Sequence, residues 1–352
     1  MRRYVAFVLG AAVLMAESAS FGQDAPSAGL IGFRPAARAA QAEAETHALA
    51  VPNPEKARSW LRTLTEEPHV AGTPADYKTA VFVRDKLREW GWEADLAEYE
   101  VLLNYPIYKR LFNNQGGVTL ELLRPTAQKL KTIEDPHTPD KDSVSLDAFP
   151  AFHGYGVSGD VTGQVVYVNY GRPEDFEALD KLGVDVKGKI VLARYGTLFR
   201  GLKVLNAQKR GATGILIYSD PADDGYTKGD VYPDGPYRPA SAIQRGSVQF
   251  LSKGPGDPST PDGPSVKGAK RLPIDFMNGF PLDREAVRGG GKVTDPVKDW
   301  EKATGLVREN YYATIPSLPI SYEAAQPILK ALSGPNVPSG WQGALPFAYH
   351  VG

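Results

Sequence analysis

Residues 190–223 read IVLARYGTLFRGLKVLNAQKRGATGILIYSDPAD, and their apolar spacing sets the fold class of the chain. Ile190 to Ala193 is a short apolar run of β type. Leu198, Leu202 and Leu205 follow at i, i+4 and i+7, the spacing of one helical face. Gly211 ends that helix, Gly214 to Tyr218 supplies a second strand, and Ser219-Asp220-Pro221 turns the chain out of the sheet. Strand, covering helix and strand form the smallest unit that buries both partners, with a right-handed crossover expected. The expected class is therefore α/β (α+β), a domain of mixed β-structure built on one βαβ unit. Such a unit carries many chemistries and names none.

The remainder of the composition narrows the function classes. The chain has 352 residues, 42% hydrophobic and 23% charged, enough for one large or two ordinary domains with real cores. Its 36 glycines and 29 prolines concentrate in the second half, where long loops are expected. Forty basic and 41 acidic side chains leave a net charge of -1, so nothing steers the protein to nucleic acid or an anionic membrane. There is no cysteine, which removes disulfides, thiolate zinc sites and a cysteine nucleophile.

Arg2-Arg3, an apolar run from Tyr4 to Ala16 and small residues at Ser18, Ala19 and Ser20 have the order of a secretory signal peptide over residues 1–23. The run falls short of the roughly 20 apolar residues that span a bilayer as a helix, although an uncleaved anchor is the alternative. A secreted or periplasmic location is expected. Residues 24–50, rich in Ala, Pro and Glu, read as a flexible linker. Asn53 can then cap a helix with Pro54 at its first position and Ala57, Trp60, Leu61 and Leu64 as its stripe. After the loop Pro68 to Gly72, Thr73, Pro74 and Asp76 open a second helix carrying Ala80, Val83, Leu87 and Trp90, which Gly91 stops. Glu93 to Leu103 reads as a strand. Two helices and a strand cannot make a core alone, so residues 51–116 look like the edge of a larger domain, with exposed or loosely docked stripes. Beyond them, a hairpin is expected from Leu111 and Val118 to Leu123 around Asn113 to Gly117, a strand over Gly163 to Asn169, and a helix over Glu174 to Lys181. Residues 254–264 form a Gly/Pro-rich tract and residues 265–311 a basic insertion of low periodicity. A last helix is capped by Ser321 and kinked or delayed by Pro327.

Catalytic motifs are absent. The five histidines, at 47, 69, 137, 153 and 350, form no metal-binding pair, and a catalytic zinc needs about three protein ligands. No G-x-S-x-G elbow occurs. His69 reads as a loop residue making a hydrogen bond. His153 and Asp160 share a loop at no recognisable ligand spacing.

Several blocks together carry a resemblance. Pro68-His69-Val70-Ala71-Gly72-Thr73, Tyr99 to Pro106, Tyr167-Val168-Asn169-Tyr170-Gly171, Ala193 to Gly196 with Phe199-Arg200-Gly201, Asn206-Ala207-Gln208, Tyr218 to Asp223, Tyr232-Pro233-Asp234-Gly235, Gln244-Arg245-Gly246 and Gly256-Asp257-Pro258 occur in this order. This resembles the glutamate carboxypeptidase II family of secreted or membrane-anchored zinc peptidases, which also includes the transferrin receptors, over residues 54–352. The resemblance implies a protease-associated (PA, apical) domain at residues 117–352 and the first piece of a zinc-peptidase α/β domain at residues 51–116. It also implies two zinc ions for a complete member, whose metal ligands, catalytic glutamate and dimerisation helices lie downstream of the segment similar to Trp341 to Gly352, where this chain ends. No catalytic residue is therefore expected within these residues, and the complete protein would form a homodimer.

By the same resemblance Phe199 and Arg200 belong to the pocket for the substrate's C-terminal residue, with the arginine on its free carboxylate, and the substrate is a peptide or acidic dipeptide. A guanidinium suits that role because it is always charged and presents a planar fork. The alternative is a solvated cation at a helix start, where the dipole disfavours it. Ser247 stands where the family has an asparagine contacting a glutamate side chain, which puts a preference for glutamate in doubt. Thr260 matches a calcium ligand, while Gly263 replaces a tyrosine that gives its backbone oxygen, and two carboxylate ligands of that calcium would lie downstream. Three readings follow: the N-terminal part of an exported zinc carboxypeptidase, inactive alone; a stand-alone PA module that binds a peptide or protein; and a receptor-like relative without zinc.

Overall fold

The computed structural model describes residues 31–103, 118–145, 150–250, 255–257, 259–260, 263–271, 298, 301–302 and 305–352. The signal-peptide expectation at 1–23, the turn expected at 113–117 and most of the basic insertion lie outside the described residues. Residues 1–66 and 67–352 form two compact units.

In the first unit, α1 spans Pro35–Ala50 and α2 spans Pro54–Leu64. Within the stretch expected as a linker over 24–50, residues 35–50 form helix α1. Its alanine-rich sequence with Pro35 at the first position is helical by propensity alone, since it buries no residue. Asn53 caps α2 as expected, its Oδ1 accepting from Lys56 N at 2.8 Å. The stripe of α2 is not buried either, and Leu61 is 61% exposed.

The second unit opens with α3, Pro74–Glu89. Thr73 Oγ1 accepts from Asp76 N at 3.4 Å and Asp76 Oδ2 accepts from Gly72 N at 3.0 Å, a reciprocal cap. Gly91 ends the helix with φ of 86°. No residue of α3 is buried; Ala80 and Leu87 are half-buried, while Val83 and Trp90 are exposed. The strand expected over 93–103 is not formed. Instead the extended chain docks on a loop, with Glu100 N donating to Ser265 O at 2.7 Å and Leu102 N to Asp257 Oδ2 at 2.9 Å. Two isolated bonds to a loop do not make a ladder.

Short β1 (Glu121–Leu122) pairs antiparallel with β2 (Gln128–Lys129), so this hairpin turns through 123–127. Strand β3 (His153–Gly154) pairs in parallel with β7 (Gly246–Ser247). The main sheet has the order β4-β5-β6-β8, from Val165–Tyr167, Ile190–Arg194, Gly214–Tyr218 and Ser317–Ile320, all parallel. Helix α4 (Pro173–Lys181) links β4 to β5, α5 (Arg200–Lys209) links β5 to β6, α6 (Pro221–Asp224) follows β6, and α7 (Tyr322–Ala331) follows β8. Every residue of β6 is buried, which is why its sequence is continuously apolar rather than alternating.

The βαβ expectation for 190–223 holds in its strands, but the buried helical face is different. Gly201, Lys203, Val204 and Ala207 face inward, whereas Leu202 and Leu205 are half-buried. The reason is the close approach of α5 to the chain after β7. A Cβ on Gly201 would lie 2.5 Å from Gln249 O and 2.9 Å from Val248 O, so that contact admits only glycine. Helix α7 runs through Pro327 from its cap at Ser321, whose Oγ accepts from Ala324 N at 3.1 Å. The carbonyl that Pro327 leaves without a helical donor belongs to exposed Glu323, where water can satisfy it.

The chain from 335 to 352 closes over the β4 edge. Tyr167 N donates to Val351 O at 2.8 Å, Val351 N to Pro335 O at 3.1 Å, and Val337 N to Tyr349 O at 3.3 Å. Tyr167 also meets Trp341 and Tyr349 edge-on, with centroids 6.2 and 5.6 Å away. Fully buried Asp220 fastens this segment to β6, accepting from Tyr218 and Tyr349 hydroxyls at 2.8 Å each and from Ala222 N and Ala344 N at 2.9 Å each.

Candidate functional site

Strand β5 ends at Arg194, and the chain turns through Gly196 and Thr197, both with positive φ, before Phe199 and Arg200 start α5. This corner sets the Arg200 guanidinium near two aromatic rings, with its central carbon 5.4 Å from the Phe199 centroid and 5.7 Å from that of Tyr195. Gly246 lies directly against it: a Cβ there would fall 2.3 Å from Nη1 and 2.4 Å from Cζ. Nη1 donates one long bond, 3.4 Å, to Ser247 O. Nε is buried with no partner. The guanidinium is thus held where the helix dipole opposes it, with a buried N–H unmatched. Phe199 is 47% exposed and forms the open wall of this corner.

The structure thus brings Phe199, Arg200 and Ser247 together, but Ser247 contributes its carbonyl. Its hydroxyl accepts from Gln249 N at 3.0 Å.

Behind the corner stands His153, 4% exposed. Its Nε2 is 3.0 Å from Tyr195 Oη and its Nδ1 is 3.0 Å from Ser317 Oγ, while Tyr195 Oη donates to Gln244 O at 2.6 Å. Burial, with Arg200 second, pushes His153 down to about 3, so the imidazole is neutral. No sequence spacing marks this group, because its partners are 42 and 164 residues away. His69, by contrast, makes the expected loop bond, Nδ1 to Glu67 O at 3.3 Å.

On the other side of the corner, Lys203 is fully buried and its Nζ donates to Tyr170 O at 2.6 Å and Gly196 O at 2.9 Å. It fixes the turn that carries Phe199 and Arg200. Burial pushes this lysine down to about 7. Arg194, stacked 4.2 Å from the Tyr170 centroid, donates from Nε to Asn169 Oδ1 at 3.1 Å and lies 3.7 Å from Asp223.

Thr260 and Gly263 belong to a separate loop, in which Gly263 N donates to Thr260 O at 3.3 Å. A Cβ on Gly256 would lie 2.1 Å from Gly263 O, 2.3 Å from Thr260 Oγ1 and 2.4 Å from Thr260 O, so three neutral oxygens gather over that glycine. Thr260 Oγ1 is also 2.8 Å from Ser265 Oγ. The neighbouring Asp257 carboxylate accepts from Leu102 N, Ser259 N, Ser265 Oγ and, at 3.2 Å, Arg271 Nη1. Burial pushes Asp257 up, yet donors on Ser259, Leu102 and Ser265 outweigh it and hold the carboxyl below its ordinary range. Calcium takes six to eight oxygens, typically with several carboxylates. The oxygens of Thr260 and Gly263 fit part of such a set, while Asp257 is committed to this loop. Among the described residues no group of three or more His, Cys, Asp or Glu could hold a metal ion. No helix among them is long and apolar enough to cross a membrane.

Residues 161–251, which include β4, β5, α5, β6 and β7, match the PA domain family, and this chain is accordingly a PA-domain protein. It is 46% identical over 207 residues to a probable glutamate carboxypeptidase of Arthroderma benhamiae, covering 57% of this chain and 27% of that protein. A glutamate carboxypeptidase 2 homolog of Caenorhabditis briggsae is 36% identical over 297 residues, covering 82% of this chain and 34% of that one. The aminopeptidase NAALADL1 of Mus musculus is 30% identical over 305 residues, covering 84% and 35%. The chain spans about a third or less of the length of these relatives. With its PA domain it belongs to the glutamate carboxypeptidase II-like family.

Proposed function

We propose that this chain is the substrate-recognition portion of an exported zinc-dependent carboxypeptidase or dipeptidase of the glutamate carboxypeptidase II type, and that Arg200 binds the C-terminal carboxylate of a peptide. The observation that carries this reading is the Arg200 guanidinium, within cation–π range of both Phe199 and Tyr195 and with a buried Nε that has no acceptor. A peptide carboxylate supplies the opposite charge and an acceptor for the part-exposed guanidinium. Phe199 lends an apolar wall to the residue that bears the carboxylate.

The two zinc ions and the base that activates water belong, in this reading, to a further portion of the enzyme outside these 352 residues. The chain therefore holds peptide without cleaving it, residues 51–116 are the beginning of the peptidase domain, and residues 117–352 are the PA domain. The complete enzyme is a homodimer, and residues 1–23 direct its export. Thr260 and Gly263 contribute neutral oxygens to a calcium whose carboxylates come from the same further portion. The Ser247 hydroxyl accepts from Gln249 N and keeps its own proton to donate, but it is shorter than the family's asparagine, so recognition centres on the terminal carboxylate.

The test is titration of the full chain with N-acetyl-Ala-Ala and with its C-terminal amide, for wild type and Arg200→Gln. Binding of the acid alone, lost in the variant, is expected. Equal binding of acid and amide, or an unaffected variant, overturns the proposal.

A further inference from the structure

The hydrogen bonds around His153 have one direction. Gln244 O can only accept, so the Tyr195 hydroxyl proton points to it, across 2.6 Å. The Tyr195 oxygen then faces His153 Nε2 as an acceptor, and Nε2 carries the proton. Nδ1 is left bare and accepts from the Ser317 hydroxyl at 3.0 Å. Donation thus runs from Ser317 on β8, through His153 on β3 and Tyr195 after β5, to Gln244 before β7. Both fixed walls of the Arg200 guanidinium are tied to this imidazole. The Tyr195 ring is held by the Nε2 bond, and Gly246, against which the guanidinium lies, is the residue paired with His153 in the β3–β7 ladder.

We infer that His153 is a positioning residue for carboxylate recognition: through the chain Ser317–His153–Tyr195–Gln244 it locks the surface on which Arg200 rests, so that the guanidinium meets its ligand in one prepared orientation. The inference rests on the reading of Arg200 as a carboxylate receptor. Its physical content is preorganisation, since a guanidinium on a long flexible stem loses affinity when it must be ordered on binding. Bulk alone does not meet this requirement. The Tyr195 hydroxyl needs a donor on the His153 side and an acceptor on the Gln244 side, and a neutral imidazole protonated at Nε2 supplies the first without adding a second charge beside Arg200.

The test uses the full chain and three variants. Tyr195→Phe keeps the ring and removes the link; His153→Asn is too short to reach Tyr195; His153→Gln places an amide donor near the position of Nε2. Two readouts are taken for each: the affinity for N-acetyl-Ala-Ala, and the shift and solvent exchange of the Arg200 Nε–H resonance without ligand. We expect Tyr195→Phe and His153→Asn to bind about tenfold more weakly, the weight of one hydrogen bond, and to exchange the Arg200 Nε–H about tenfold faster. His153→Gln should stay near wild type in both. An unchanged Nε–H in folded Tyr195→Phe overturns the inference, and so does a His153→Gln protein as impaired as His153→Asn, which would mark a space-filling role. If His153→Asn fails to fold, His153→Ser, equally too short to reach Tyr195, takes its place, because Tyr195→Phe also removes the hydroxyl's contact with Arg200. If wild type binds acid and amide equally, the carboxylate reading fails, while the Nε–H readout still judges the positioning role.

Discussion

Acidification should destabilise this protein through His153 well above the pH at which its carboxylates titrate. The folded imidazole titrates at about 3 against an ordinary 6.5, with burial the larger cause and Arg200 the second. The unfolded chain takes up a proton below pH 6.5 that the folded chain refuses, so stability is undiminished above 6.5, falls as pH falls, and stops falling near 3. Each pH unit inside that window costs about 1.4 kcal/mol, so the loss at pH 5 relative to neutral pH is about 2 kcal/mol. Urea unfolding of wild type and His153→Gln at pH 7.5, 6.5, 5.5 and 5.0 measures it. Carboxylate titration is common to both proteins and cancels in the difference. The variant, whose amide takes no proton in this range, should show a shallower decline, and the gap between the two curves should open below 6.5. Parallel curves down to pH 5 would refute the assignment of a buried neutral imidazole.

Four other outcomes are expected. Lys203, pushed down to about 7 by burial, is charged in the unfolded chain over a range where the folded one has lost the proton, so stability should rise by about 2 kcal/mol from pH 7.5 to 9.5. Lys203→Met should flatten that rise in thermal or urea unfolding. Asp220→Asn turns one of the two acceptor atoms that serve four donors, two of them buried tyrosine hydroxyls, into a donor and should cost about 2–4 kcal/mol, read as a lowered Tm. Gly246→Ala puts a methyl group where Nη1 and Cζ of Arg200 lie, so binding of N-acetyl-Ala-Ala should fall at least about tenfold while stability falls by only about 1–2 kcal/mol, chiefly from the φ of 154°. Limited proteolysis should cut α2 and α3, which bury no residue, before it cuts the sheet, and mass spectrometry of early fragments checks the order.

The β5-α5-β6 unit was legible because a parallel central strand is buried on both faces and therefore writes an unbroken apolar run. The caps at Asn53, Thr73 and Ser321 were legible because capping is local chemistry. The orientation of α5 was not. Its leucines advertised one face, while the close approach at Gly201 and the two carbonyl partners of Lys203 selected another, and neither constraint leaves a periodic trace. Proline and alanine together suggest a linker over 24–50, yet proline at the first helical position and alanine after it favour the helix over 35–50. Arg200 and Phe199 stood out only within the ordered blocks of the family resemblance. The support behind them, Tyr195, His153 and Ser317, is assembled from three separate strands or strand ends, and no spacing rule joins such distant positions.

The closure of residues 335–352 over β4 matters for how the domain can be isolated. The family match stops at residue 251, but the sheet it describes is completed by β8 and shielded at its other border by the stretch ending in Val351. A recombinant piece cut to the match would present the bare amide row of β4 and an uncovered Tyr167 ring to its neighbours, an invitation to edge-to-edge self-association. Insolubility of such a piece, beside a soluble 67–352 product, would reflect a misplaced cut rather than a weak fold.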